Sequence, residues 1–261
     1  ESGEISIERI NDAVSRILRV KLRAGLFEKP SPAKRKFSGK TELIGQDKHR
    51  AVAKQAVRES LVLLKNNSSV LPVKPKQNIL VAGAFADDLA AQNGGWTISW
   101  QGTGTSNADY KGSTSILAGI ESAAAAVGST AVYVENGEWQ KQDFKGDKPD
   151  VAIVVFGEAP YAEWHGDIAS IEYERGVDTA LNTLKRLQAQ GIPTVSVFLS
   201  GRPLWVNRHI NASDAFVAAW LPGSEGAGVA DVLFADKTGK AANDFTGKLS
   251  FSWPKSLHQT V

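Results

Sequence analysis

Three stretches of this chain concentrate groups able to do chemistry. "GEAPYAEWHGD", residues 157–167, sets Glu158, Glu163, His165 and Asp167 beside Tyr161 and Trp164, directly after the apolar run "DVAIVVF". A carboxyl group between aromatic rings loses water, which disfavours its charged form and lifts its pKa toward the range of a general acid working near neutral pH. Glu163, between Tyr161 and Trp164, fits that description, and Glu158 competes with it. The plainer reading is structural: carboxylates near turns and helix N-termini accept backbone N–H bonds, and structural ion pairs give the same signal. "GGWTISWQG", residues 94–102, holds Trp96 and Trp100 between glycines. Indoles in such a loop suit flat platforms for a ligand with apolar faces and polar edges, although either ring could equally cap the core. "SGRP", residues 200–203, places Arg202 just after another apolar run. It serves either an anion or, more simply, a carboxylate whose ion pair ties loops together.

Other chemistries find little support. "GTGTS", residues 102–106, lacks the lysine of a P-loop and the spacing of a dinucleotide fingerprint. His49, His165, His209 and His258 are scattered, no His-Glu-x-x-His pair exists and cysteine is absent, so no metal site and no cofactor are expected. A Gly-x-Ser-x-Gly elbow is missing. Thirty Lys plus Arg against 28 Asp plus Glu give a net charge of +2, too little to draw the chain onto nucleic acid or an anionic membrane. No apolar run approaches a membrane span, and "ESGEISIERI" lacks the features of a signal peptide. With 42% hydrophobic residues among 261, the reading is a soluble globular chain with a sizeable core. Methionine is absent even at position 1, so these residues are expected to form part of a longer gene product.

The elements that must position these groups can be read from periodicity. "SIERINDAVSRILRVKLRAGLFEKP" reads as a helix capped by Ser6, with Ile7, Ile10, Val14, Ile17 and Leu18 on one face. A polar, proline-bracketed stretch after it reads as a linker, and a second helix is expected from about Gln46 to Lys65. Beyond that, apolar β-rich runs alternate with helical stretches: "NILVAGAFA", "TAVYVE", "DVAIVVFG", "PTVSVFLSG" and "AFVAAWL", with "KLSFSW" as a possible edge strand. Runs apolar on both faces belong in a mostly parallel sheet covered on both sides. The expected fold is therefore an open six-stranded α/β sandwich preceded by a helix and linker. In such sheets ligands gather outside the carboxyl ends of the strands, where the loops carrying Trp96, Trp100, Glu163 and Arg202 would meet.

Taken together, "ERINDAVSRILRVKLRAGLFEKP", "HRAVAKQAVRESLVLLKN", "GGWTISWQG", "GEAPYAEWHGD", "SGRP" and "AAWLPGSEGAGVADVLF" resemble, in order and spacing, the second domain of family 3 glycoside hydrolases, nearest to its exo-acting β-glucan glucohydrolases and β-glucosidases. The resemblance implies a two-domain retaining enzyme in which an N-terminal (β/α)8-type barrel supplies an aspartate nucleophile and this α/β sandwich the acid/base, carried over to Glu163. It also implies that Trp100, or failing that Trp96, clamps the leaving-group sugar, and that a β-glucan or oligosaccharide is the substrate in a secreted or periplasmic setting. Residues 1–28 would be the barrel's final helix, 29–45 the linker and 46–261 the sandwich. A retaining site needs two carboxylates about 5–5.5 Å apart, so Glu163 alone would be half a site. The rival expectation is a non-catalytic carbohydrate-binding or barrel-docking module, in which the tryptophans matter and Glu163 does not.

Overall fold

The computed structural model describes residues 3–259, and the chain divides into two compact units, Glu1–Gln46 and Asp47–Val261. In the first, helix α1 (Ile7–Arg23) starts where the Ser6 hydroxyl accepts the Arg9 N–H at 3.3 Å and ends before Gly25, which takes a positive φ of 64°. Its apolar stripe is as the sequence predicts, yet none of its residues is buried. After α1, the regular pieces of this unit are two short 3-10 turns, at Pro32–Lys34 and Thr41–Leu43.

The second unit is an α/β sandwich built on one six-stranded sheet. Its elements in chain order are α2 (Asp47–Ser60), β1 (Val62–Asn66), β2 (Asn78–Ala82), α3 (Leu89–Asn93), α4 (Ile116–Ala126), β3 (Thr130–Tyr133) and β4 (Val151–Gly157). Then come α5 (Thr179–Ala189), β5 (Thr194–Leu199), α6 (Asn207–Asn211), β6 (Ala215–Trp220) and α7 (Gly226–Leu233). The strands lie in the order β1-β6-β5-β4-β2-β3, all parallel except β1, which runs antiparallel to β6 at the edge. Strand pleating explains the two cores. On β4, Ile153 and Val155 face a cluster with Ile116 and Ile120 of α4 and Val229 and Leu233 of α7; Val154 and Phe156 face Leu181, Leu184 and Leu187 of α5. Helices cover both faces, and six of the seven residues of β4 are therefore buried.

The sixth strand is not where the sequence reading placed it. The expected helix over 46–65 stops at Ser60, and Val62–Asn66 pairs with β6 instead, Val62 opposite Ala218 and Leu63 opposite Val217. The short apolar run "LVLL" fits a buried helix or a two-sided strand; pairing with β6 decides, and the strand sends Leu63 to one core and Leu64 to the other. "KLSFSW" forms no strand; Phe251 is exposed, and Trp253 packs on the α5-side core. Helix α5 also starts later than "IEYERGVDTALNTLKRLQAQG" suggests. Glu174 and Asp178 take positive φ values of 52° and 54°, which breaks the run into a loop before Thr179.

Candidate active site

The parallel strands point their carboxyl ends at one edge, and the loops after β2, β4 and β5 meet there. Glu158, first residue after β4, is largely buried and saturated. The Arg202 guanidinium grips it as a fork, Nη2 to Oε1 at 2.7 Å and Nε to the two oxygens at 3.1 and 3.3 Å, and the Ser200 hydroxyl donates to Oε2 at 2.6 Å. Arg202 also lies 4.5 Å from the centre of the Tyr161 ring and donates through Nη1 to the Gly166 carbonyl. Burial, reinforced by the nearby Glu158 carboxylate, raises the Tyr161 phenol above its ordinary pKa, so it stays protonated. The simpler reading of Arg202, a loop-tying ion pair, is the one the fold realises, and Glu158 is its partner.

Glu163 stands apart. Its side chain is exposed and makes no hydrogen bond or ion pair among the described residues. The aromatic enclosure expected around it does not form within this chain, because both rings are engaged elsewhere. Tyr161 lies under Arg202 with Gly166 against its other flank, so close that a Cβ there would sit 2.6 Å from the ring. Trp164, itself 69% exposed, packs edge-on against Trp100 at 5.5 Å and 89°. The backbone of the turn is well defined: the Glu163 carbonyl accepts from His165 N–H at 2.6 Å and the Trp164 carbonyl from Asp167 N–H at 2.9 Å. Trp164 adopts φ 59°, a left-handed conformation that a bulky residue holds only when its surroundings demand it.

The tryptophan loop after β2 is docked onto this turn. Gly95 lies so close to the Tyr161 carbonyl that a Cβ would sit 2.1 Å from its oxygen, and the Gln101 side-chain oxygen accepts the Ala162 N–H at 2.7 Å. Trp96 N–H closes the loop on the Trp100 carbonyl at 2.9 Å, leaving the two rings 6.2 Å apart. Trp96, Trp100 and Trp164, at 67%, 45% and 69% exposure, thus form one open aromatic cluster beside Glu163 rather than caps on the core. Sequence reasoning singled out two of the three rings and treated Trp164 only as a wall for Glu163. It passed over Gln101 and took Ser200 only as a serine without a nucleophile elbow, since an amide or hydroxyl in a polar loop carries no signal of its own.

A second buried cluster lies behind this loop. Glu174 accepts the Ala180 and Leu181 N–H groups at the start of α5, at 2.6 and 3.3 Å, and pairs with Nε2 of the fully buried His209 at 2.9 Å. Burial alone would raise the Glu174 pKa, but the His209 hydrogen bond and the two N–H groups outweigh it and hold the carboxyl below its usual range. A cavity of about 750 Å³ is lined by Glu158, Tyr161, His165, Asp167, Glu172 and Arg202, with neither Glu163 nor a tryptophan among its walls. Among the described residues no three His, Asp or Glu side chains converge as metal ligands, and no helix is long and apolar enough to cross a membrane.

Residues 61–261 match the model of the glycosyl hydrolase family 3 C-terminal domain. The chain is 30% identical to a periplasmic beta-glucosidase of Salmonella typhimurium, over 99% of this chain and 36% of that protein, and 30% identical to a lysosomal beta glucosidase of Dictyostelium discoideum, over 86% and 28%. It spans about a third of the length of these curated relatives. Among solved structures, an exo-1,3/1,4-beta-glucanase from a Pseudoalteromonas species is 55% identical and superposes with a TM-score of 0.91, over 99% of this chain and 41% of that one. A beta-glucosidase from Listeria innocua in complex with isofagomine is 29% identical with a TM-score of 0.68, over 88% and 31%. With the α/β sandwich, the matched family model and these relatives in agreement, the chain belongs to glycosyl hydrolase family 3, of which it carries the C-terminal domain.

Proposed function

We propose that this chain supplies the general acid/base of a retaining β-glucosidase or exo-β-glucanase, with Glu163 in that role. The observation that carries the reading is a contrast within one turn: of the two glutamates in "GEAPYAEWHGD", Glu158 is consumed by Arg202 and Ser200, while Glu163 is held out, unpaired, beside an open tryptophan cluster. Opposite it the reaction requires a nucleophilic carboxylate about 5–5.5 Å away, assigned here to an aspartate of an N-terminal barrel in the same enzyme. Glu163 then protonates the departing glycosidic oxygen as the nucleophile attacks the anomeric carbon. As carboxylate it next takes a proton from the water that releases the sugar. Trp100, and beside it Trp96, presents a flat face to the leaving-group sugar, so that the proton reaches the right oxygen. In the same reading α1 is the barrel's last helix, its unburied apolar stripe being the surface for it, residues 29–45 are the linker, and the substrate is a β-glucan or its oligosaccharides met outside the cytoplasm.

The test uses the enzyme in which this chain is joined to its barrel. Glu163→Gln is expected to cut hydrolysis of a β-linked glucose disaccharide by about 10²–10⁴-fold, yet to spare formation of the glycosyl intermediate from an aryl glucoside whose leaving group needs no proton. Equal loss on both substrates would remove Glu163 from the acid/base role. A second reading rests on the exposed tryptophans: a carbohydrate-binding module would hold oligosaccharide as the isolated chain. Titration of residues 47–261 with a glucan oligosaccharide is expected to give no saturable binding, and tight binding would favour the module.

A further inference from the structure

Arg202 touches the Glu163 turn on both sides. Before Glu163 it holds the Glu158 carboxylate through three nitrogen–oxygen contacts between 2.7 and 3.3 Å and lies 4.5 Å over the Tyr161 ring; after Glu163 it donates to the Gly166 carbonyl. The anchor is itself fixed. The Ser200 hydroxyl donates to Glu158 and lies 2.7 Å from the Arg202 carbonyl, and the Arg202 N–H points back at it from 3.2 Å. Only a planar guanidinium reaches this many partners at once, because its nitrogens diverge in one rigid plane while an ammonium offers a single point. The Glu163 side chain makes no hydrogen bond or ion pair among the described residues, so what sets its starting point is the backbone that Arg202 brackets.

We propose that Arg202 is a positioning residue for the acid/base, setting where the Glu163 carboxyl stands rather than merely holding the domain together. The proposal rests on the reading of Glu163 above. A proton donor displaced by about 1 Å loses on the order of 10²-fold in the step it serves, while steps that need no proton are untouched. The signature of positioning is therefore a loss that depends on the leaving group, which a general weakening of the fold does not produce.

The experiment compares Arg202→Lys with Glu163→Gln in the barrel-joined enzyme, on a β-linked glucose disaccharide and on a dinitrophenyl β-glucoside under single-turnover conditions. Arg202→Lys keeps the positive charge for Glu158 but loses the fork and the reach to Gly166. It is expected to lower kcat on the disaccharide by about 10–100-fold with less than about threefold change in KM, and to alter single-turnover release of dinitrophenol by less than about threefold. Equal losses on both substrates, or none on either, would overturn the positioning role. Should Arg202→Lys not fold, Glu158→Gln, which retains one oxygen for the guanidinium and removes the charge, is read the same way: a disaccharide-selective loss supports the proposal and an unselective one defeats it. Glu163→Gln separates the two claims. If it shows no leaving-group dependence, the assignment of Glu163 has failed; if it does and neither clamp variant does, Arg202 alone has failed.

Discussion

Glu158 and Glu163 are the same residue type five positions apart in one loop, and the fold uses them in opposite ways. Glu158 is 15% exposed and accepts from Arg202 and Ser200, so both of its oxygens are engaged in holding loops together. Glu163 is exposed and, among the described residues, unpaired. A carboxylate already locked to a guanidinium is poorly placed to pass protons, because protonation would break the pair. A free one on a turn of defined backbone has no such pair to break. The difference teaches that a cluster of acids in a motif is not a cluster of catalysts; the partner each finds decides its work.

Alanine at each position should give crossed results. Glu163→Ala is expected to remove about 10²–10⁴-fold of disaccharide hydrolysis by the barrel-joined enzyme while shifting unfolding free energy by less than about 0.5 kcal/mol, since an exposed side chain with no partner is lost. Glu158→Ala leaves the Arg202 cation without its counter-charge in a site where the Arg202 side chain is only 24% exposed, and is expected to cost roughly 2–4 kcal/mol in urea denaturation of the chain. A stability loss at Glu163, or none at Glu158, would erase the distinction between them.

Glu174 extends the comparison to a carboxylate whose partner is a buried histidine. Hydrogen bonds from His209, Ala180 and Leu181 hold its carboxyl below the usual range in the folded chain. Because the folded pKa is depressed, the stability it contributes is present above the unfolded value near 4.5 and drains away as pH falls through the lower folded one. Glu174→Gln is expected to cost about 2 kcal/mol at pH 6, and the gap between variant and parent should narrow steadily in urea melts taken below about pH 4.5. A gap that stays constant down to pH 3 would mean that the carboxylate charge contributes nothing there.

What the sequence made legible follows the same division between partnered and unpartnered groups. Strands β2 to β6 were readable because burial on both faces forces continuous apolar runs, and helix α1 because its cap and stripe are local. Strand β1 was not, since "LVLL" satisfies a helix or a two-sided strand equally and only pairing with β6 decides. The candidate site was half legible. Residue types announced Glu158, Glu163, Arg202 and the tryptophans, but which glutamate Arg202 would take depends on residues 44 positions apart meeting in space. The turn of Tyr161 away from Glu163 depends on Gly166 and Arg202 in the same way.

The tryptophans offer the finest contrast, two rings of the same loop that residue types alone do not rank, whereas the family resemblance puts Trp100 before Trp96. Trp100 is the middle ring, 45% exposed and braced by Trp96 at 6.2 Å and Trp164 at 5.5 Å; Trp96 is 67% exposed and, among the described rings, pairs with Trp100 alone. A platform must be stiff to hold a sugar face, and the ring braced on two sides gives up less freedom on binding than the one braced on one. Trp100→Ala is accordingly expected to lower kcat/KM for a β-linked glucose disaccharide by about tenfold, close to 1.4 kcal/mol, and Trp96→Ala by no more than about threefold. If the larger loss fell at Trp96, the outer ring would be the sugar face and Trp100 its support, and the assignment of the two would have to be exchanged.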